Sequence, residues 1–200
     1  MKKAQQPGQI FMYILGIIVV SAIIVYGYKA ISDFSEKGDE VAFLSFKQQL
    51  ENTVKSMVSD YGTVKKTSLL VSGKYEKFCV VDFSTYSPGV SKYIESSKGN
   101  IPLISCAQNE ESFEPLVCET WKQGFEEYNK NHVPLDRITL SNVFLLPSGD
   151  SFNLQNVKLP VNSGGIVCVP IKSGKINLNL YSVGDGVEIS PEGIEVKPRS

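Results

Sequence analysis

The sequence predicts an α+β protein: a single N-terminal transmembrane helix that continues or bends into an amphipathic helix, followed by a β-rich exported domain built as an antiparallel sheet or sandwich. Three observations carry this reading. Residues 10–28 read IFMYILGIIVVSAIIVYGY, a strongly apolar run with no formal charge. Residues 41–61 place apolar side chains mostly at three- and four-residue steps, the pattern of a half-buried helix. Beyond residue 63, short apolar runs alternate with turns containing glycine, serine and proline, the pattern of strands.

The first nine residues form a short basic leader with Lys2 and Lys3 and no acid. The 19 residues of 10–28 cover about 28 Å at helical rise, close to the hydrocarbon thickness of a bilayer. A soluble core helix of this length would keep a polar face. Here the polarity is confined to Ser21 and to tyrosines, and Tyr26 and Tyr28 stand next to Lys29, where amphipathic rings settle among headgroups. A cleaved secretory signal is the competing reading. Its apolar region usually runs about 7–15 residues, and Ala30-Ile31-Ser32 makes a weak cleavage site. The basic leader favours a cytoplasmic N-terminus and an extracytoplasmic C-terminal domain, and with no second apolar run of comparable length the chain reads as single-pass. The lipid bilayer is thus the first expected partner.

Residues 29–62 are a juxtamembrane and helical segment. Val41, Leu44, Leu50, Val54, Met57, Val58 and Tyr61 form its apolar series, with Lys47, Glu51 and Lys55 between them and a stop near Gly62; Gly38 is the point where a bend would fall. Residues 63–190 make the β-rich domain. Residues 68–72 and 75–83 flank Gly73-Lys74 and read as a hairpin. Residues 100–106 contain Pro102, which places them at a sheet edge or outside the ladder. Trp121, Phe125 and Tyr128 fall at helical spacing and predict a short helix over 114–131. Residues 138–146 read as a strand ending in the turn Pro147-Ser148-Gly149-Asp150, and 166–171, 176–182 and 187–190 follow as strands. In Ile176-Asn177-Leu178-Asn179-Leu180 apolar and polar residues alternate strictly, as a half-covered strand requires. Residues 191–200 are a polar tail.

Composition excludes some functions. With 20 basic and 21 acidic residues the chain is balanced, and no basic stripe exists to neutralise a phosphate backbone, so nucleic acid is not an expected partner. The four cysteines, Cys79, Cys106, Cys118 and Cys168, all follow the apolar helix, and an even number in an exported domain reads as two disulfides. Cys106 with Cys118 would close a short loop worth about 3 kcal/mol, and Cys79 with Cys168 would tie early strands to late ones. Three pairings are open, and buried free thiols are the alternative. No pair of cysteines has zinc-ligand spacing, and the single histidine, His132, lies far from all four in sequence. No catalytic, cofactor or metal residues are therefore expected. Glu110, Glu111, Glu114, Glu119, Glu126 and Glu127 concentrate acid locally but lack an ordered calcium-loop spacing and read as a solvated face, with Lys122 and Lys130 as counterweights.

The start Lys2-Lys3-Ala4-Gln5-Gln6, followed by the apolar helix, resembles the class III signal sequences of archaeal type IV pilin-like proteins. The resemblance implies a prepilin peptidase as partner, with processing between Ala4 and Gln5 that removes the leader and keeps the helix. It also implies a helix that anchors the subunit and later packs among its equivalents in a filament, with Ile14 and Ile18 on the packing face. Alanine stands at position 4 where glycine is common in such leaders, and no acidic residue opens the apolar run. The exported part, with Asn142-Val143-Phe144-Leu145-Leu146-Pro147 and Cys168-Val169-Pro170, is similar to archaeal membrane-anchored proteins of this layout, a likeness that implies no activity.

The expected function is that of a non-enzymatic membrane-anchored structural protein, in its sharper form a pilin-like or minor-pilin subunit of the surface. An anchored binding module for a sugar, peptide or protein is the alternative.

Overall fold

The structure, a computed structural model, describes residues 7–86, 93–94, 101–102, 106, 114–160 and 163–192. The chain divides into two compact units, Met1–Ala42 and Phe43–Ser200. Helix α1, Pro7–Val58, passes through the division. It continues through Gly38 without a break, and Lys55 in its last turn complements the negative end of the helix dipole. In the first unit, none of the described side chains of α1 is buried.

The second unit contains two four-stranded sheets. Its strands are β1 (Val64–Leu70), β2 (Lys77–Val81), β5 (Val143–Leu146), β6 (Asp150–Phe152), β7 (Val157–Lys158), β8 (Ile166–Pro170), β9 (Lys175–Ser182) and β10 (Val187–Pro191); β3 (Tyr93–Ile94) and β4 (Ile101–Pro102) form a separate antiparallel pair. The first sheet has the order β1-β9-β10-β7 and is antiparallel except for β10 beside β7. The second has the order β6-β5-β2-β8 and is antiparallel throughout. Among the described residues the unit also contains a helix, α2 (Pro115–Asn129), and the 3-10 turn Leu135–Arg137. The fold is thus a long helix followed by a β-rich domain of two sheets.

The second sheet is buried on both faces, which explains why β2, β5 and β8 are apolar at successive positions rather than alternating. Phe78, Val80, Val143, Leu145, Val167 and Val169 join a core shared with Leu69, Ile176, Leu178, Leu180, Val187 and Ile189 of the first sheet and with Phe46, Leu50, Val54 and Met57 of α1. Cys79, Val81, Phe144, Leu146, Ile166 and Cys168 point the other way and pack with Val117, Cys118 and Trp121 of α2. Pro170 is accommodated because β8 is an edge strand, where a missing N–H removes no ladder bond.

The structure corrects several expectations. Residues on either side of Gly73-Lys74 do not form a hairpin: β1 pairs with β9 in one sheet and β2 with β5 and β8 in the other. The turn there carries the chain between sheets, because β2 must be central and β1 an edge. In the expected helical series, Leu50, Val54 and Met57 are buried, but Val41, Leu44 and Tyr61 are exposed. Phe43 and Phe46 take the inward face instead, their rings meeting Phe152 edge-on, with Phe46 also edge-on to Phe78 at 5.9 Å. The strand expected from Ile138 begins only at Val143, since the preceding backbone turns through Leu135–Arg137. Of residues 100–106, β4 spans Ile101–Pro102; residues 103–105 lie outside the described residues.

Phe46 is fully buried and joins the helix to both sheets' shared core. Phe46→Ala is expected to cost about 3–5 kcal/mol, read as a lower urea midpoint in detergent-solubilised full-length protein. Gly124 on α2 is a tight contact, since an added Cβ would sit 2.2 Å from the Phe83 ring. Gly124→Ala is expected to destabilise by about 1–3 kcal/mol, measured the same way.

Candidate functional site

The first candidate is the apolar stretch of α1. From Phe11 to Val25 its large side chains, including Ile14 and Ile18, are exposed, and the 18-residue window of highest hydropathy averages 2.2 with none of it buried. Ser21 Oγ donates to Ile17 O at 2.8 Å, so the serine hydroxyl of the run is satisfied inside the helix. This is one helix long and apolar enough to cross a membrane. Lys2, Lys3, Ala4 and Gln5 lie outside the described residues.

The second candidate is built by the cystines and α2. A disulfide joins Cys79 to Cys168, directly opposite each other on β2 and β8 with Cα atoms 4.0 Å apart. A second joins Cys106 to Cys118 on α2. Sequence separations of 89 and 12 correspond to about 4–5 and 3 kcal/mol in loop-closure terms. Both lie in the core beneath α2. Pro115 starts this helix, and the Lys77 ammonium on β2 donates to Glu114 Oε1 at 2.7 Å just before it. Trp121 Nε1 donates to Asp82 O and Thr85 O at 3.0 and 2.7 Å, which pins the loop after β2. Tyr86 packs on Trp121 with ring centroids 4.7 Å apart.

That pinned loop forms one wall of a groove. The Asn142 amide brackets Leu154, donating to its carbonyl at 2.8 Å and accepting from its N–H at 2.7 Å, while Asn153 Nδ2 donates to Ile138 O and Leu140 O. These bonds hold the strip 153–156 as a ridge between two hollows of about 810 and 420 Å³. The larger one is lined by Asp82, Tyr128, Asp136, Gln155, Lys158 and Asp185 among others, with the Lys158 ammonium bonded to the Asp185 carboxylate. The smaller one adds Glu51 and Lys55 of α1. Amides, carboxylates and one tyrosine can exchange hydrogen bonds with a polar ligand. Sequence reading missed this groove: its residues are scattered over segments with no common motif, and only the fold assembles them.

The remaining sequence candidates stay apart. His132 is exposed at a residue with φ of 53°, in the turn after α2. Glu114 pairs with Lys77 and Glu126 with Lys130, while Glu110 and Glu111 lie outside the described residues. Among the described residues no three His, Cys, Asp or Glu side chains gather to hold a metal ion. No family model, curated protein or solved structure matches the chain.

One polar node sits at the β5–β6 turn. The Tyr75 hydroxyl donates to Asp150 Oδ2 at 2.7 Å, Ser148 Oγ donates to the same oxygen, and the Lys74 ammonium lies 3.2 Å away. Burial first, then the bond to Asp150, pushes the Tyr75 pKa up to about 12. The hydrogen bonds from Tyr75 and Ser148 hold the Asp150 carboxyl below its usual range. Between pH 10 and 12 the unfolded chain releases a tyrosine proton that the folded chain keeps, so stability falls as pH rises. The Asp150 contribution has the opposite sense, present above the ordinary carboxyl range and lost as pH falls through the lower folded value. Urea midpoints measured from pH 8 to 11.5 should therefore decline toward the alkaline end, and Tyr75→Phe should flatten part of that decline.

Proposed function

We propose that this chain is a non-enzymatic, membrane-anchored structural protein, with a cytoplasmic N-terminus and a cystine-braced head outside the membrane, and that it acts as a pilin-like or minor-pilin subunit. The observation that carries the anchoring is the contrast inside α1: one end exposes a continuous apolar surface suited to lipid, while Phe46, Leu50, Val54 and Met57 at the other are buried in the β unit. The two disulfides support a head that works in an oxidising compartment. The pilin-like form rests on the leader Lys2-Lys3-Ala4-Gln5 ahead of the helix, which would be processed by a prepilin peptidase, with Ile14 and Ile18 as filament contacts.

The expected result is a protein that stays in the membrane pellet after alkaline carbonate extraction and a mature N-terminus at Gln5 in intact-mass and peptide analysis. Release by carbonate would contradict the anchor. An intact Met1, or a terminus beyond Tyr28, would contradict the prepilin form.

A second reading, an anchored binding module for a sugar, peptide or protein, is supported by the polar groove beside the strip 153–156. Photocrosslinkers at Ile14 and Ile18 separate the two. Homotypic helix adducts are expected for a filament subunit, and their absence for a binding module.

A further inference from the structure

Four strands end the two main sheets, and three of them make poor templates. β6 spans three residues, β7 two, and β8 finishes in Pro170. β1 is different: seven residues, without proline or bulge, in unbroken register with β9. No described strand lies beyond it.

The direction of its backbone groups follows from the ends of the ladder. Ser182 N donates to Thr63 O, and Val71 N donates to Gly174 O. Odd-numbered residues from 65 to 71 therefore direct their N–H and C=O toward β9, as does the carbonyl of Thr63. Val64, Lys66, Ser68 and Leu70 direct theirs to the open edge. Their side chains also share the solvent face, where Val64 is 59% and Leu70 65% exposed.

We propose that β1 is a self-pairing edge whose occupant is β1 of a second copy, antiparallel and centred on Thr67. Parity limits the register, because only residues with outward backbone groups can exchange hydrogen bonds, and centring on Thr67 is the choice that pairs all four of them without placing lysine opposite lysine. Val64 then meets Leu70 of the second copy and Lys66 meets Ser68, each pair repeated by the two-fold axis, for about eight new backbone bonds. The two exposed aliphatics cover each other across the strands. Lys65 lies opposite Leu69, so no lysine stands directly opposite a lysine, which is why the charges that usually blunt an edge are compatible with this particular partner. Registers that place lysine opposite lysine are disfavoured by the same residues. The contact is small, so pairing relies on confinement to one membrane to raise the effective concentration. The inference is independent of whether α1 serves a filament.

The centre of the pair offers a test in full-length protein in its native membrane. Thr67 faces Thr67 of the second copy in a non-hydrogen-bonded position with Cα atoms about 4.5 Å apart, the kind of pair that the Cys79–Cys168 cystine already occupies at 4.0 Å. Under mild oxidation Thr67→Cys should give a disulfide-linked dimer on non-reducing gels, well above the exposed control Asp136→Cys. Adding Ser68→Pro, which removes an outward N–H and leaves the bonds to β9 in place, should reduce the dimer to control level. Thr67→Cys with Leu70→Asp, a change at an exposed side chain, should do the same and covers the case in which the proline variant does not fold. Thr67→Cys crosslinking no faster than the control overturns the proposal. So does crosslinking that survives Leu70→Asp, or an adduct whose mass shows a different protein.

Discussion

A sheet that carries apolar side chains on both faces has to be covered twice, and the second sheet of this protein, β6-β5-β2-β8, is such a sheet. Cys79 and Val81 point one way along β2 while Phe78 and Val80 point the other, and none of the four tolerates water. On one side the cover is the first sheet together with the last turns of α1. On the other it is α2, seated by Trp121 and fastened by Cys106–Cys118. Removing either layer would expose an apolar area that no polar rim could compensate, at about 25 cal/mol per Å².

This double cover accounts for the assignment of chain segments. β2 is central because it must pair on both sides, so β1 is sent to the other sheet and a tight turn at Gly73-Lys74 becomes a crossing. The end of α1 is drawn into the shared core by two phenylalanines spaced to meet Phe78 and Phe152. The start of α1 has no such partner within its unit, and its exposed apolar side chains suit the low-dielectric solvent that a bilayer supplies. One continuous helix therefore carries two kinds of apolar surface. The cystines act on the same layer: Cys79–Cys168 crosses the second sheet, and Cys106–Cys118 holds α2 against it.

Much of this was legible in the residues. A predominantly apolar run of 19 residues without charge needs no tertiary context to be read, because the cost of burying charge in hydrocarbon is local. Strict alternation in Ile176-Asn177-Leu178-Asn179-Leu180 likewise marks a strand, and Trp121, Phe125 and Tyr128 mark the face of α2. Where periodicity was ambiguous the reading slipped. Val41 and Leu44 fit the helical step as well as Phe43 and Phe46 do, and only the position of the sheets selects between them. The groove was not legible at all, since Asp82, Tyr128, Asp136, Gln155 and Lys158 belong to separate segments whose proximity depends on sheet order.

The sequence by itself determined the long apolar helix, the helix-then-strands order and the even set of cysteines, because hydropathy, period and residue type act over a few neighbouring residues. The tertiary structure decided which strands pair, which face of α1 turns inward, and which edge is left open. Those choices depend on burying both faces of one sheet at once, a condition set by residues far apart in the chain, as the span of Cys79–Cys168 at 89 illustrates.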